Sequence, residues 1–189
     1  MRVIAGLAKG HKLAAPVGDT TRPPLDRQKE ALFSILGDVV VDARVLDLFA
    51  GSASIGIEAL SRGAENAVFV DVSADAAAAA NANLAHTKLA DKARVTRENV
   101  VTFLEREAVL GAVYDLIFLD PPFRIDVNDL AAVFEVLRYG NLVADDGLLV
   151  LRLQAKIAPP ERPGFREVKN RAYGDSRLLF YKPIKGGKV

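Results

Sequence analysis

The 189-residue chain has no cysteine and no tryptophan. Without cysteine there is no disulfide, no thiolate metal site and no cysteine nucleophile. Two histidines, His11 and His86, are too few for a multi-histidine zinc site. No metal is expected, and both histidines are expected at the surface without a role. No stretch reaches the ~20 apolar residues that a membrane helix needs. The opening Met1-Arg2-Val3-Ile4-Ala5-Gly6 lacks the apolar core of a secretory signal. These absences point to a cytoplasmic protein with no membrane contact. Half the chain is hydrophobic and 26% is charged, which excludes wholesale disorder and allows a sizeable core. The length fits one domain with a small appendage. The expected division is a basic N-terminal extension over 1–37, a hairpin plus a helix, followed by the main domain over 38–189.

The net charge of +1 hides a segregation. Residues 1–30 carry 6 Lys/Arg against 3 Asp/Glu, residues 31–149 carry 9 against 18, and residues 150–189 carry 10 against 3. Basic ends gathered on one face would attract a polyanion such as a nucleic acid. The blander alternative is a pair of solvated tails that keep the protein soluble.

Val3-Ile4 and Lys12-Leu13-Ala14 flank two glycines and predict a short hairpin. Asp26 is expected to cap a helix that carries Ala31, Leu32, Ile35 and Leu36 at helical spacing and stops at Gly37. Strand and helix then alternate. Strands are predicted at 45–49, 67–70, 93–96, 114–119 and 147–153. Helices are predicted at 55–62, from Ser73 to about 89, and over about 100–110 and 127–138. The alanine run at 76–80 needs only helix propensity to explain it. A proline-rich linker, Pro159-Pro160-Glu161-Arg162-Pro163, precedes two last strands joined by Gly174-Asp175-Ser176. The alternation predicts an α/β fold, a Rossmann-like, doubly wound, mostly parallel seven-stranded sheet. The final pair has no room for a crossover helix, so it must form an antiparallel hairpin.

Such sheets bind ligands beyond the carboxyl ends of their strands, and four strand ends here carry chemistry. The first is Phe49-Ala50-Gly51-Ser52-Ala53-Ser54-Ile55-Gly56, where Gly51 permits close approach of a ligand and Gly56 permits close helix packing. Asp47 lies inside that otherwise apolar strand. It must face the ligand cleft or accept from backbone N–H groups to brace the loop. Asp71 stands 20 residues past Gly51, where an acid would meet a ribose diol; it also puts negative charge at a helix N-terminus. Glu98 and Asn99 end the third strand; Asn99 either bonds an adenine amine or caps the next helix. The fourth end is Asp120-Pro121-Pro122-Phe123. Two successive prolines stiffen the loop and remove two N–H donors, while their carbonyls and the Asp120 carboxylate accept. An acceptor ledge beside an aromatic ring suits an exocyclic amino group on a flat base; the alternative is an ordinary turn.

The Asp120-Pro-Pro-Phe123 motif resembles the signature of S-adenosylmethionine-dependent enzymes that methylate exocyclic amines of nucleobases. Asp47-Leu-Phe-Ala-Gly-Ser52, Glu58-Ala-Leu-Ser-Arg-Gly-Ala64, Arg22-Pro23 with Asp26-Arg27 and Glu30-Ala-Leu-Phe33, and Tyr173-Gly-Asp-Ser-Arg-Leu178 are together similar to the RsmD family. That family comprises the 16S ribosomal RNA guanine-N2 methyltransferases of bacteria. The resemblance runs from Arg2 to Tyr181. It implies a methyltransferase domain over 38–189 and S-adenosyl-L-methionine as cofactor. The cofactor would be held by Asp47, Phe49, Ala50, Gly51, Ser52, Asp71, Val72, Asn99 and Val100. Catalysis would fall to Asp120, Pro121, Pro122 and Phe123. RNA phosphates would meet Arg2, Lys9, Lys12, Arg22 and Arg27. The implied partner is 16S ribosomal RNA, alone or within a small-subunit particle, and the expected state is a monomer. The chain departs from the family at Ala53 (glycine), Asp71 (glutamate), Asn99 (aspartate) and Pro24-Leu25 (Thr-Thr). Three other readings stay open on residues alone: an amino-methyltransferase of another RNA or of DNA, a nicotinamide-dependent oxidoreductase, and a non-catalytic RNA-binding module.

Overall fold

The computed structural model describes residues 1–16, 26–122 and 124–184. At its centre a seven-stranded sheet runs in the order β3-β2-β1-β4-β5-β7-β6. The strands are β1 (Arg44–Leu48), β2 (Asn66–Asp71), β3 (Ala93–Arg97), β4 (Tyr114–Leu119), β5 (Val143–Gln154), β6 (Phe165–Tyr173) and β7 (Ser176–Pro183). The first five pair in parallel. β7 is antiparallel to both its neighbours, β5 and β6. The expected doubly wound sheet with a C-terminal hairpin is therefore present.

Among the described residues five α-helices cover the sheet: α1 (Asp26–Leu36), α2 (Ser54–Ser61), α3 (Ala74–Thr87), α4 (Val100–Val109) and α5 (Val127–Tyr139). Side chains alternate across each strand, so one face feeds each of two cores. Val45, Phe69, Phe118 and Val150 pack with Leu32 and Phe33 of α1, Ile57 of α2 and Leu84 of α3. Leu46, Leu48, Ile117 and Leu149 pack with Phe103 of α4 and Phe134 of α5. Local chemistry starts the helices where the sequence signals them. The Ser73 hydroxyl accepts from Ala76 N at 3.3 Å, and Asp126 Oδ1 accepts from Asn128 N at 2.8 Å.

The expected N-terminal hairpin forms: Arg2 and Lys12 bridge in antiparallel fashion, Val3 N donates to His11 O at 3.0 Å and Leu13 N to Met1 O at 3.1 Å. Its other backbone donors go to α2: Ile4 N and Ala5 N donate to Glu58 at 2.7 and 3.0 Å, and Ala8 N donates to Ser61 Oγ at 2.9 Å. Two local expectations change. Asp26 lies within the first turn of α1 and pairs with Arg2 at 3.1 Å. β5 begins at Val143, because its pairing with β4 shifts register between Tyr114 and Leu116 and the sequence run from Gly147 is only the regular part.

The anchor of the N-terminal segment is a buried ion pair. Lys29 Nζ lies 3.4 Å from Glu58 Oε2, with both side chains 0% exposed. Lys29 also donates to Arg2 O and Ser54 Oγ, and Arg62 Nε donates to Glu58 Oε1. Burial holds the Lys29 pKa below the usual lysine value, against the pull of Glu58. The second histidine expectation also changes in part. His11 is half-buried, and its ring meets the exposed His86 ring edge-on at 5.2 Å.

Candidate active site at the carboxyl ends of β1, β2 and β4

The chain winds from β1 to β2 on one side and later returns to β4 on the other, which puts the topological switch between β1 and β4. Leu48 is level with both Val70 and Leu119. The next residues on the flanking strands are therefore Asp71 and Asp120. Asp47 is level with Phe69 and Phe118, so all three carboxylates sit on the α2 side of the sheet.

The loop after β1 is bent by its backbone. Phe49, Gly51 and Ala53 adopt left-handed φ values of 61°, 52° and 63°. For Phe49 and Ala53 this is strain, a feature that concentrates at ligand sites. At Gly51 a Cβ would meet nothing within 4 Å, so space is open beside the turn. The loop is then locked from three sides. Asp71 Oδ2 accepts from Gly51 N at 2.9 Å, Ala50 N donates to Val70 O at 3.0 Å, and Asn83 Nδ2 donates to Ser52 O at 2.9 Å. Gly56 fits where a Cβ would lie 2.3 Å from the Phe69 ring, as the packing argument requires.

Asp47 is 1% exposed. Its Oδ2 accepts from Gly56 N at 2.9 Å, which is the loop-bracing alternative, while Oδ1 has no hydrogen-bond partner among the described residues. Burial pushes its carboxyl well above the usual carboxylate range, and the charges of Asp120 and Asp71 add to the push. Asp71 also accepts from Ser73 N on Oδ1 at 2.9 Å, so it braces the start of α3 as well as the Gly51 turn. Val72 beside it is 67% exposed. Asn99 adopts the capping alternative: its Oδ1 accepts from Val101 N and Thr102 N at 2.9 and 3.4 Å. Val100 is buried in the first turn that Asn99 caps.

Asp120 N donates to Leu48 O at 3.3 Å, which ties the acceptor ledge to β1. Pro121 is buried and Pro122 exposed. The ledge is less free than the sequence implied. Pro122 O accepts from Ile125 N at 3.0 Å, because the chain turns at once toward α5; of the two proline carbonyls this leaves Pro121's for an incoming amine. The Asp120 carboxylate is gripped by Arg152 at the end of β5, whose Nη2 donates to Oδ2 at 2.8 Å and whose Nε donates to Oδ1. A cleft opens here, with Leu32, Ile55, Phe118 and Val150 as apolar lining and Gln28, Asp120 and Arg152 as polar lining. Phe123 and Arg22 lie outside the described residues. Lys9, Lys12 and Arg27 are exposed, and so is Arg2 beside Asp26.

The sequence assigns no role to Arg152 or Asn83, and it marks Glu58 only as part of the motif that resembles the family. Arg152 was within reach of the strand-end rule, standing at the end of the apolar run Leu148–Leu151. Asn83 and Glu58 sit in helices, and tertiary contact shows what they hold.

This geometry pairs a strained glycine turn with a cluster of carboxylates. The model of the family described as Conserved hypothetical protein 95 matches residues 1–182. The chain belongs to this family. It is the RsmD family, and the chain is a methyltransferase. Ribosomal RNA small subunit methyltransferase D of Escherichia coli (strain K12) is 36% identical over 163 residues, covering 86% of this chain and 79% of its own. The protein YlbH of Bacillus subtilis (strain 168) is 36% identical over 183 residues, 96% of this chain and 98% of its own. The solved structure of yhhF from Escherichia coli matches with a TM-score of 0.84 at 33% identity, covering 97% of each chain.

The residues present fit a cationic cofactor. Three carboxyl groups converge on the switch point and repel one another where they are ionised; Arg152 offsets the charge of Asp120, and the buried Asp47 Oδ1 lacks a hydrogen-bond partner among the described residues. The sulfonium and ammonium charges of S-adenosylmethionine offset that repulsion. A testable consequence concerns pH. A carboxyl whose folded pKa is raised holds its proton in the folded state, so stability falls as pH rises above its unfolded value of about 4. For the cofactor-free protein, the thermal midpoint of Asp47→Asn minus that of the parent should therefore grow from pH 4 to pH 8. Saturating S-adenosylmethionine should shrink the difference. A difference that stays flat across this range rejects an ionisable Asp47 strained by burial.

Proposed function

We propose that this methyltransferase modifies the exocyclic N2 amine of one guanine in bacterial 16S ribosomal RNA. The observation that carries the reading is the Asp120-Pro121-Pro122 ledge, tied to the end of β1 and opening on an apolar cleft. When bound, the cofactor would supply an activated methyl to the amine nitrogen, with the thioether as leaving group, and the proton that the nitrogen sheds would pass to solvent by way of the Asp120 carboxylate. The guanine amine is a weak nucleophile, since its lone pair is delocalised into the ring. Asp120 and the Pro121 carbonyl accept its two N–H bonds, which aims the lone pair and stabilises the positive charge that develops. Phe123 stacks on the base, which must first leave its own stack in the RNA.

On the cofactor side, Asp47 Oδ1 takes the ammonium group. Gly51, between Phe49, Ala50 and Ser52, lets the cofactor lie against the backbone. Asp71 holds the ribose hydroxyls with its remaining lone pairs. Val72 presents an apolar face to the adenine, and Asn99 with Val100 bounds the adenine end. Arg2, Lys9, Lys12, Arg22 and Arg27 grip phosphates, with further support from the basic C-terminal strands. A monomer acting in the cytoplasm fits this reading; among the described residues no helix is long and apolar enough to cross a membrane.

The decisive experiment is methyl transfer from labelled cofactor to bare 16S RNA, assembled small subunits and naked DNA, followed by mapping of the modified nucleotide. Label on one guanine N2 of the RNA or the subunit is the expected result. Label on DNA, or on an adenine or cytosine amine, overturns the substrate assignment. RNA affinity should also fall with salt, with a log–log slope on the order of −3 to −5 for four to seven phosphate contacts. A flat salt profile removes the basic ends from the RNA grip.

A further inference from the structure

The Arg152 guanidinium faces the Asp120 carboxylate across two parallel strands. Leu151 is level with Leu119, so the residues that follow stand side by side at the carboxyl ends of β5 and β4. The contact is fork to fork, Nε to Oδ1 and Nη2 to Oδ2, and each side chain is 13% exposed. A planar guanidinium in this geometry fixes the plane of the carboxylate as well as neutralising it. It uses one acceptor position on each oxygen. An ionised carboxylate has about four, so the outer positions stay available to a ligand.

The surroundings of Asp120 would otherwise favour its neutral form. Leu32 of α1, Ile55 of α2 and Phe118 of β4 line the same cleft. From β1 the Asp47 carboxyl adds a like charge. From α1, Lys29 lines the cleft too, but its ammonium is paired with Glu58 and bonded to Arg2 O and Ser54 Oγ. Leu178 is what β7 contributes. Burial holds the Asp120 pKa above the usual carboxylate value, and the Arg152 cation opposes that rise. A protonated Asp120 would turn one acceptor oxygen into a donor and leave the carboxyl free to rotate.

We propose that Arg152 is a positioning residue for methyl transfer, holding Asp120 as an ionised, fixed-plane acceptor for the target amine. The inference rests on the role given to Asp120 above. It adds that the ledge works only as a pair drawn from two strands, and that β5 belongs to the catalytic apparatus.

The test uses the full chain, labelled S-adenosylmethionine and purified small ribosomal subunits, with kcat followed from pH 5 to 9. Arg152→Met should lower kcat by roughly 10²-fold at neutral pH and move the acid limb of the profile up by about one unit or more. The sign follows from the charge: removing the cation makes Asp120 easier to protonate, so activity is lost at a higher pH. Calorimetric affinity for S-adenosylmethionine should stay within a few-fold. Arg152→Lys keeps the charge and loses the fork, so it should leave the acid limb near the parent's position while kcat still falls about tenfold. If Arg152→Met does not fold, the lysine variant carries the test alone, and a parental kcat in it overturns the positioning role. A folded Arg152→Met enzyme with parental kcat, or with reduced kcat and an unmoved acid limb, also overturns it. Asp120→Asn in the same assay separates the two ideas. Inactive Asp120→Asn beside fully active Arg152→Met rejects only the arginine, whereas active Asp120→Asn rejects the ledge itself.

Discussion

Asp120→Asn is expected to lose methyl transfer by roughly 10²–10³-fold, the scale seen when one preorganised charge-stabilising group is removed. Its affinity for S-adenosylmethionine should change by no more than a few-fold. The amide keeps one acceptor oxygen and the approximate shape of the carboxylate, so the β4–β5 junction need not collapse. What it loses is the negative charge and one acceptor position facing the amine. Arg152 then meets an NH2 group where it had an oxygen. Single-turnover kinetics with labelled cofactor, alongside calorimetric titration, separate chemistry from binding. Parental turnover in this variant would remove Asp120 from the reaction and return the ledge to an ordinary strand-end turn.

The second large effect falls on stability. Glu58 is fully buried and serves four donors: Ile4 N, Ala5 N, Arg62 Nε and Lys29 Nζ. Glu58→Ala strands a buried ammonium and two backbone amides. Breaking one side of a buried pair costs about 3–5 kcal/mol, which for a chain of this size lowers Tm on the order of 10 °C. The double variant Lys29→Met/Glu58→Leu removes both charges and should recover much of the loss. A single variant that melts with the parent would show that the pair contributes little. The effect reaches the site, because α1 lines the cleft through Gln28, Lys29 and Leu32.

The two experiments also divide the basic N-terminal segment by task. Lys9, Lys12 and Arg27 are exposed and available to phosphates. Lys29 lies in the same stretch of sequence and is wholly buried. Counting both kinds as one positive patch overstates the charge presented to RNA. Arg2 is intermediate, since Asp26 already pairs with it at 3.1 Å.

Periodicity and punctuation alone determined the alternation of strands and helices, the antiparallel C-terminal pair, and the four strand ends where chemistry gathers. These are local properties: an apolar run, a cap, a glycine turn or two prolines act over a few residues. The Asp120-Pro121-Pro122 ledge was legible for the same reason. Tertiary structure alone showed which backbone groups each polar residue holds. Asp47 and Asp71 brace the Gly51 loop, and Asn99 caps α4. It also decided that Ile4 N and Ala5 N bond Glu58 on α2, and that Arg152 meets Asp120 from 32 residues away. A buried charge or donor must find a partner wherever the fold brings one, and the distance along the chain carries no record of that meeting.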